Sequence, residues 1–520
     1  MAKKKRTTGI SHPAKAPESK APALRWEFDA LSLGLLAGFA IYLAHNAWLK
    51  SPDPVIDFGR ELYLPWRITE GAVLYKNVGH LYGPLSPYLN SVFFRLAGVG
   101  LATLVKANVI IYAAILGLIY FLVRTGWGRW AATVSGALFV GVFSFSHLVG
   151  ISNYNFLTPY SHEMTQGMLL VLCLVLALWK AIRTMNATPI AASGLLAGAA
   201  LLMKPEIIFA AAAAVATAAI LIILRGFRER PWGRWARAAG IFAVTGIAPV
   251  TLAVVLFWLR GGLSLGEALR YSNYAWTAIM ELPGLDPFQL AALGLDNPWK
   301  NLAIEAVWGC AAAAFAFGLA WGVGIFKRTT TSLKALLCVL LLAVVVAGLW
   351  APWAEAGSAL PGILLCGAII EVVSARKPGT AGAGNDAALR WLLWSAAAAM
   401  LARMALDPRI FHYGFVQAAL AGVVAGAILV SSVPRLFHLN SGEGKWCQAL
   451  LALPVLFVVG AVVSESSALY RHHTFQVGEG VNRFYTFDPK VDPRGLVVEQ
   501  ARRFLVKDAS ENNVRSLFVI

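Results

Sequence analysis

Apolar runs of about 20 residues recur along almost the whole of this 520-residue chain, and a run of that length lets a helix cross a ~30 Å hydrocarbon core. Inside a bilayer every backbone N–H and C=O must be satisfied by the protein itself, which restricts such runs to helices. Thirteen runs qualify, at 28–49, 102–123, 131–150, 164–183, 190–203, 206–224, 238–259, 302–326, 335–353, 358–374, 389–406, 413–433 and 447–464. The chain is 58% hydrophobic and 14% charged, well above the roughly 45–50% apolar content of soluble domains. It therefore reads as an all-α polytopic membrane protein with about 13 transmembrane helices. Segment 86–99 is apolar but short and contains Arg95, which suits a helix lying in the interface.

The net charge of +17 is the positive-inside bias of a membrane protein. Its Lys and Arg residues are scattered between apolar runs rather than gathered on one face, which argues against nucleic-acid binding. With the N-terminus inside, the short inner connections hold Arg124 and Arg129, Lys180 and Arg183, Arg225 to Arg237, Lys327 to Lys334, Arg376 and Lys377, and Arg435 and Lys445. The connections at 151–163 and 354–357 have no Lys or Arg. Run 190–203 is weak, but dropping it would move the later basic connections to the wrong side, so it is kept as a short or partly embedded helix. Residues 1–27 are a basic cytoplasmic tail, too long and polar for a cleavable signal. Cys173, Cys310, Cys338, Cys366 and Cys447 lie in or beside apolar runs. No metal-ligand spacing joins them, and disulfides are not expected.

An odd number of crossings puts residues 465–520 outside. This segment turns polar, with helical periodicity over Val497 to Val506 and an apolar Ser516 to Ile520 that reads as a buried strand. A lone strand cannot satisfy its backbone, so the segment reads as a small, truncated α/β extracytoplasmic piece. Residues 28–464 then form the membrane domain.

The outer loop at 50–100 has the densest chemistry. It runs Asp53-Pro54-Val55-Ile56-Asp57-Phe58-Gly59-Arg60-Glu61, then Trp66 to Tyr75, then His80-Leu81-Tyr82-Gly83-Pro84. A loop this long is usually functional. Asp57 and Glu61, four apart, would share a helix face and perturb one another. They suit a general base, a metal ligand or both, against the plain alternative of a solvated helix neutralised by Arg60. The second outer loop carries Tyr160, His162 and Glu163. Glu163 fits a helix N-terminus, and with His162 and Asp57 it is a candidate for a divalent cation or a sugar contact. Lys204 is either a snorkelling lysine at a helix break or a point charge for a phosphate. Arg409, His412 and Tyr413 form a further outer connection where Arg409 could grip a phosphate. No Walker, Rossmann or nucleophile-elbow motif is present, so a phosphorylated donor need not be a soluble nucleotide.

The patterns Asp57-x-Gly59-Arg60-Glu61, Ile68-x-x-Gly71-x-x-x-Tyr75 and Tyr82-Gly83-Pro84-Leu85 resemble the membrane glycosyltransferases of the GT-C fold. So do Gly194 to Glu206 and Arg409 to Phe415. The resemblance lies nearest the bacterial branch related to protein O-mannosyltransferases and the lipid A aminoarabinose transferase. It implies a GT-C-like bundle in the bacterial inner membrane and inverting transfer of a sugar from a polyprenyl-phosphate donor to an extracytoplasmic lipid, glycan or protein acceptor. In that family an acid of the first loop deprotonates the acceptor, a role that falls on Asp57, with Glu61 as its neighbour. An acid near the start of the fourth crossing is usual in that family, most often Asp, and the matching place here is His162-Glu163. Lys204 matches the cation near the donor phosphate. Arg409 and His412 are weaker matches. The competing classes are a transporter or flippase for lipid-linked saccharides, a ligase or polymerase, and a non-catalytic scaffold. A transporter would need mid-span ionisable residues and repeated halves; Arg403 is the nearest such residue. Tyr271, Tyr274, Trp276 and Trp299 in the loop at 261–301 could stack on sugar rings or form an interfacial belt.

Overall fold

The computed structural model describes residues 26–50, 52–56, 58–148, 154–226, 232–280, 284–325, 352–375, 384–410, 416–439 and 441–512. In chain order its helices are α1 Trp26–Ala47, α2 Phe58–Thr69, α3 Leu85–Ala97, α4 Leu101–Trp127, α5 Arg129–Leu138, α6 His162–Thr184, α7 Ala187–Ala200, α8 Pro205–Gly226 and α9 Trp232–Leu259. Three short helices follow, α10 Leu265–Ser272, α11 Tyr274–Met280 and α12 Pro287–Leu293. The remainder are α13 Pro298–Ile325, α14 Leu360–Ala375, α15 Gly384–Leu401, α16 Val416–Ala427, α17 Val433–Leu436, α18 Ser441–Arg471 and α19 Arg494–Asn512. Among the described residues, nine helices are long and apolar enough to cross a membrane. The polytopic all-α class expected from the apolar runs is what the chain forms.

Twelve of the thirteen runs coincide with helical segments; the run at 335–353 lies almost wholly outside the described residues. The run at 131–150 stops early. After α5 the backbone widens into a π-turn over Phe139–Ser144, where the Ser144 hydroxyl donates to the Phe139 carbonyl at 2.8 Å. Such an insertion loosens the regular ladder, and the chain leaves the helix at Phe145. The weak run at 190–203 is helical, 14 residues long. It packs against α9 so closely that a Cβ on Gly198 would lie 1.9 Å from the Gly246 carbonyl. Small residues permit this backbone approach, the usual way apolar helices associate without a hydrophobic drive. The core centres on α16, whose residues are all buried, with Met164, Met168, Val171 and Leu172 of α6 and Leu389, Leu392 and Leu393 of α15 in the same cluster.

The C-terminal segment differs from its expected form. The helix read at 497–506 is there, as the longer α19, while the strand expected at 516–520 falls outside the described residues. The polar stretch before α19 contains instead an antiparallel hairpin, β1 His473–Val477 and β2 Phe484–Phe487, with Val477 opposite Phe484. Its strands are only 5 and 4 residues long, too short for alternation to stand out among polar neighbours.

Candidate functional site

The first loop folds onto the helix ends that carry residues 101, 162 and 205. Its entry is an Asx turn, in which Asp53 Oδ1 accepts from the amides of Val55 and Ile56, both at 2.9 Å. Asp57 lies outside the described residues, as do His412 and Tyr413. Helix α2 then buries Phe58, Glu61, Leu64, Pro65 and Ile68, a spacing that defines one face. Glu61 is thus a carboxylate on an apolar stripe, 4% exposed, and not on a solvated helix. Such a group is costly unless fully paired.

It is fully paired. Arg60 donates to Glu61 Oε1 through Nη2 at 3.0 Å and Nε at 3.3 Å. The other oxygen accepts the His162 backbone amide at 3.0 Å and lies 2.6 Å from His162 Nδ1. Glu61 therefore caps the N-terminus of α6, where a free amide and the helix dipole both favour an anion. The tautomer of His162 follows from its second nitrogen. The Asn108 side-chain amide donates to the Leu157 carbonyl at 3.0 Å and sits 3.0 Å from His162 Nε2. The carbonyl fixes the amide orientation, so Nε2 accepts and Nδ1 carries the proton toward Glu61. Both nitrogens of His162 are engaged within the protein.

Glu163 is tied separately. Its Oε2 accepts from the Ser161 hydroxyl at 2.8 Å, and its Oε1 lies 3.1 Å from His80 Nε2, with both side chains shut off from solvent. His80 Nδ1 is buried with no hydrogen-bond partner among the described residues. The second loop closes the arrangement, because the Tyr160 carbonyl accepts from Arg60 Nη2 at 2.9 Å. Burial pushes the Tyr160 hydroxyl up to about 12, keeping it protonated.

Lys204 reaches the same place from the α7–α8 junction. Its ammonium stands 4.3 Å from the centroid of the Tyr82 ring, within cation–π range, and the Arg60 guanidinium lies 5.7 Å from that ring. Tyr82 is delivered by backbone pairing, with Gly83 N–H donating to the Met203 carbonyl at 3.2 Å and Leu85 N–H to the Leu202 carbonyl at 3.1 Å. Burial alone would lower the Lys204 pKa. The nearby Glu206 carboxylate, together with Tyr82 and Tyr160, outweighs it and holds the ammonium up at about 12, so Lys204 stays charged. Glu206 also pairs with Arg403.

Arg409 is not part of this cluster. It pairs with its near neighbour Asp407, and none of its described contacts joins it to Lys204, Glu206 or Tyr82. Arg403, which the sequence marked only as the nearest approach to a mid-span charge, pairs with Glu206 beside Lys204 instead. Asn108 was not singled out either, although an amide inside the apolar α4 run was its signal. The cluster thus holds Arg60, Lys204 and Arg403 against Glu61, Glu163 and Glu206; the three carboxylates and Lys204 are buried, Arg60 is partly exposed and Arg403 is exposed. It can hold an anion against these cations, and the His162 imidazole is oriented at both of its nitrogens. Among the described residues no group of three or more His, Cys, Asp or Glu could hold a metal ion. A cation at His162 would have to displace Glu61 or Asn108.

No protein-family model matches the chain, and no curated protein sequence does. Among solved structures it is similar to the Archaeoglobus fulgidus oligosaccharyltransferase tethered with an acceptor peptide containing the NVT sequon. The TM-score is 0.48 at 15% identity, covering 85% of this chain and 55% of that one. The archaeal oligosaccharyltransferase from the same organism in complex with an inhibitory peptide and a dolichol-phosphate gives 0.46 and 15%, covering 86% and 56%. ArnT from Cupriavidus metallidurans in the apo state gives 0.34 and 13%, covering 77% and 78%. The chain spans about half the length of the archaeal chains it matches.

Proposed function

We propose that the chain is an integral membrane glycosyltransferase of the GT-C type. It moves a sugar, with inversion, from a polyprenyl-phosphate donor to an extracytoplasmic lipid, glycan or protein acceptor. The observation that carries this reading is the convergence of Lys204 and Tyr82 with the buried Glu61–His162 pair. A phosphate leaving an anomeric carbon gathers charge on its oxygens, and a fixed ammonium in a water-poor site stabilises that charge without reorganising. Tyr82 offers an apolar face beside it. A bundle in the bilayer takes up the donor's isoprenoid tail directly, which removes the need for a nucleotide cradle.

In the proposed step the acceptor oxygen bonds to the anomeric carbon as the carbon–oxygen bond to phosphate breaks. The acceptor proton passes to Asp57, and polyprenyl phosphate leaves beside Lys204. A base in hydrogen-bond reach contributes about 10²–10⁴-fold. Glu61, held by Arg60 and His162, fixes the helix that starts directly after Asp57.

The test uses membranes containing the chain, radiolabelled polyprenyl-phosphate hexoses or pentoses, and a lipid extract of the host. Label should enter a new product with the wild type and not with Asp57→Asn. Equal transfer by both removes Asp57 as the base. No transfer from any donor by the wild type sinks the glycosyltransferase reading.

A further inference from the structure

The C-terminal segment packs against both feet of the first loop. At the near foot, the Tyr485 amide donates to the Leu49 carbonyl at 2.7 Å. Lys50 Nζ donates to the Tyr470 carbonyl at 3.3 Å. Arg494 Nη1 donates to Asp53 Oδ2 at 3.0 Å. At the far foot, Asn482 Oδ1 accepts the Leu101 amide at 2.9 Å, satisfying one of the donors that the start of α4 leaves open. Between them lies a small apolar knot in which Phe484 of β2 packs with Phe58, Leu62, Leu101 and Leu49. One hairpin thus touches the residues before α2, α2 itself and the residues after the loop.

The Arg494–Asp53 contact has a defined geometry. Asp492 holds the guanidinium from the other side, accepting from Nη2 at 2.6 Å and from Nε at 2.8 Å. That leaves Nη1 for Asp53, whose carboxylate is nearly buried, with its side chain 3% exposed. The same carboxylate's Oδ1 makes the Asx turn to Val55 and Ile56, and Phe58 N–H donates back to Ile56 at 2.7 Å. A path of direct bonds therefore runs from Arg494 through Asp53 and the turn into the first residue of α2, which carries Arg60 and Glu61. Helix α19 is anchored in turn, since Glu499 Oε2 accepts the Gly478 amide at 3.0 Å.

We propose that the C-terminal segment is a clamp on the first loop, with Arg494 as the positioning residue that sets the entry of α2 and so the placement of Glu61 against His162. A loop of this length closes at an entropic cost that grows with its freedom. Pinning both feet reduces that freedom where the site needs fixed geometry. The catalytic consequence rests on the proposed glycosyltransferase reading; the clamp itself does not.

The test uses the full-length protein in lipid nanodiscs and reads backbone hydrogen exchange and transfer kinetics together. Arg494→Gln should speed exchange over residues 52–69 by about ten-fold or more, with the buried α16 unchanged, as local opening allows. Arg494→Lys should restore much of the protection. Arg502→Gln is the control. It breaks bonds to Glu479 and Glu499 in the same segment without touching the loop, and exchange over 52–69 should stay within about two-fold. In transfer, Arg494→Gln should lower kcat by about five-fold or more and leave the donor KM nearly unchanged, as expected when placement and not binding is lost. Asp53→Asn, which keeps an acceptor for the turn, replaces Arg494→Gln if the latter does not fold. Unchanged exchange over 52–69 overturns the clamp, and so does equal loosening by Arg494→Gln and Arg502→Gln. Absent transfer by the wild type would refute the enzyme reading, while the exchange data would still decide the clamp.

Discussion

Gly83 abuts the carbonyl of Leu202, and a methyl group built on its α-carbon would lie 2.2 Å from that oxygen. The obstructing atom is backbone, so no rotamer change can relieve it. This approach lets the first loop pair with the α7–α8 junction and set Tyr82 over Lys204. Gly83→Ala should therefore part ring and ammonium and cut transfer by about ten-fold or more, the scale of a misplaced site. Gly79→Ala, with nothing within 4 Å of its added methyl, should be near neutral. Equal activity of the two variants in the radiolabel assay would refute the docking argument.

Removing one partner of a buried ion pair costs more than exchanging it for a neutral acceptor. Glu61→Ala would leave the Arg60 guanidinium with the Tyr160 carbonyl but no carboxylate, and the His162 Nδ1–H without its acceptor, at about 3–5 kcal/mol. Glu61→Gln keeps an acceptor oxygen and should cost about 1–3 kcal/mol. Thermal unfolding in nanodiscs separates them, and an Ala variant as stable as the Gln variant would contradict the capping role.

Lys204 is a test of charge. Lys204→Met retains the bulk over Tyr82 and removes the cation, so kcat should fall by about 10²–10³-fold, as when a preorganised group facing developing charge is lost. Lys204→Arg should retain part of the activity. A Met variant with kcat within a factor of about three would place the phosphate elsewhere.

Arg403 and Arg409 are distinguishable by coupling. Arg403 pairs with buried Glu206 and Arg409 with Asp407. In double-mutant cycles on transfer rate, Arg403→Gln with Glu206→Gln should be non-additive by about 1 kcal/mol or more. Arg409→Gln with Glu206→Gln should add within about 0.5 kcal/mol. The reverse pattern would restore Arg409 to the site.

His473 makes stability pH-dependent. Burial pulls its pKa down from 6.5 to about 4, partly offset by its bond to the Tyr485 carbonyl. Below about pH 6.5 the unfolded chain takes up the proton while the folded chain does not. The contribution is complete above that pH and is lost as pH falls toward 4, by up to ~1.4 kcal/mol per unit. His473→Phe should flatten the melting temperature between pH 4 and 6.5. An unchanged slope would show that another group governs it.

The positions of the apolar helices were legible in the sequence because hydrophobic length is a local property that the bilayer enforces residue by residue. The run at 28–49 became α1, that at 164–183 became α6, and the short segment at 86–99 became α3. The first loop's density of charge marked it equally well. What only the tertiary structure decided was pairing. Spacing put Glu61 four residues from Asp57 and next to Arg60, while its bond to His162, 101 residues away, comes from the fold. Nothing local could rank Arg403 above Arg409 next to Glu206, since each is an arginine near a helix end. The hairpin at 473–487 was hidden because its two strands are stabilised by each other and by Leu49, Phe58 and Leu101. A buried charge is tolerated only where distant groups converge to satisfy it. That convergence is a property of the folded bundle, while the sequence alone determines which segments enter it.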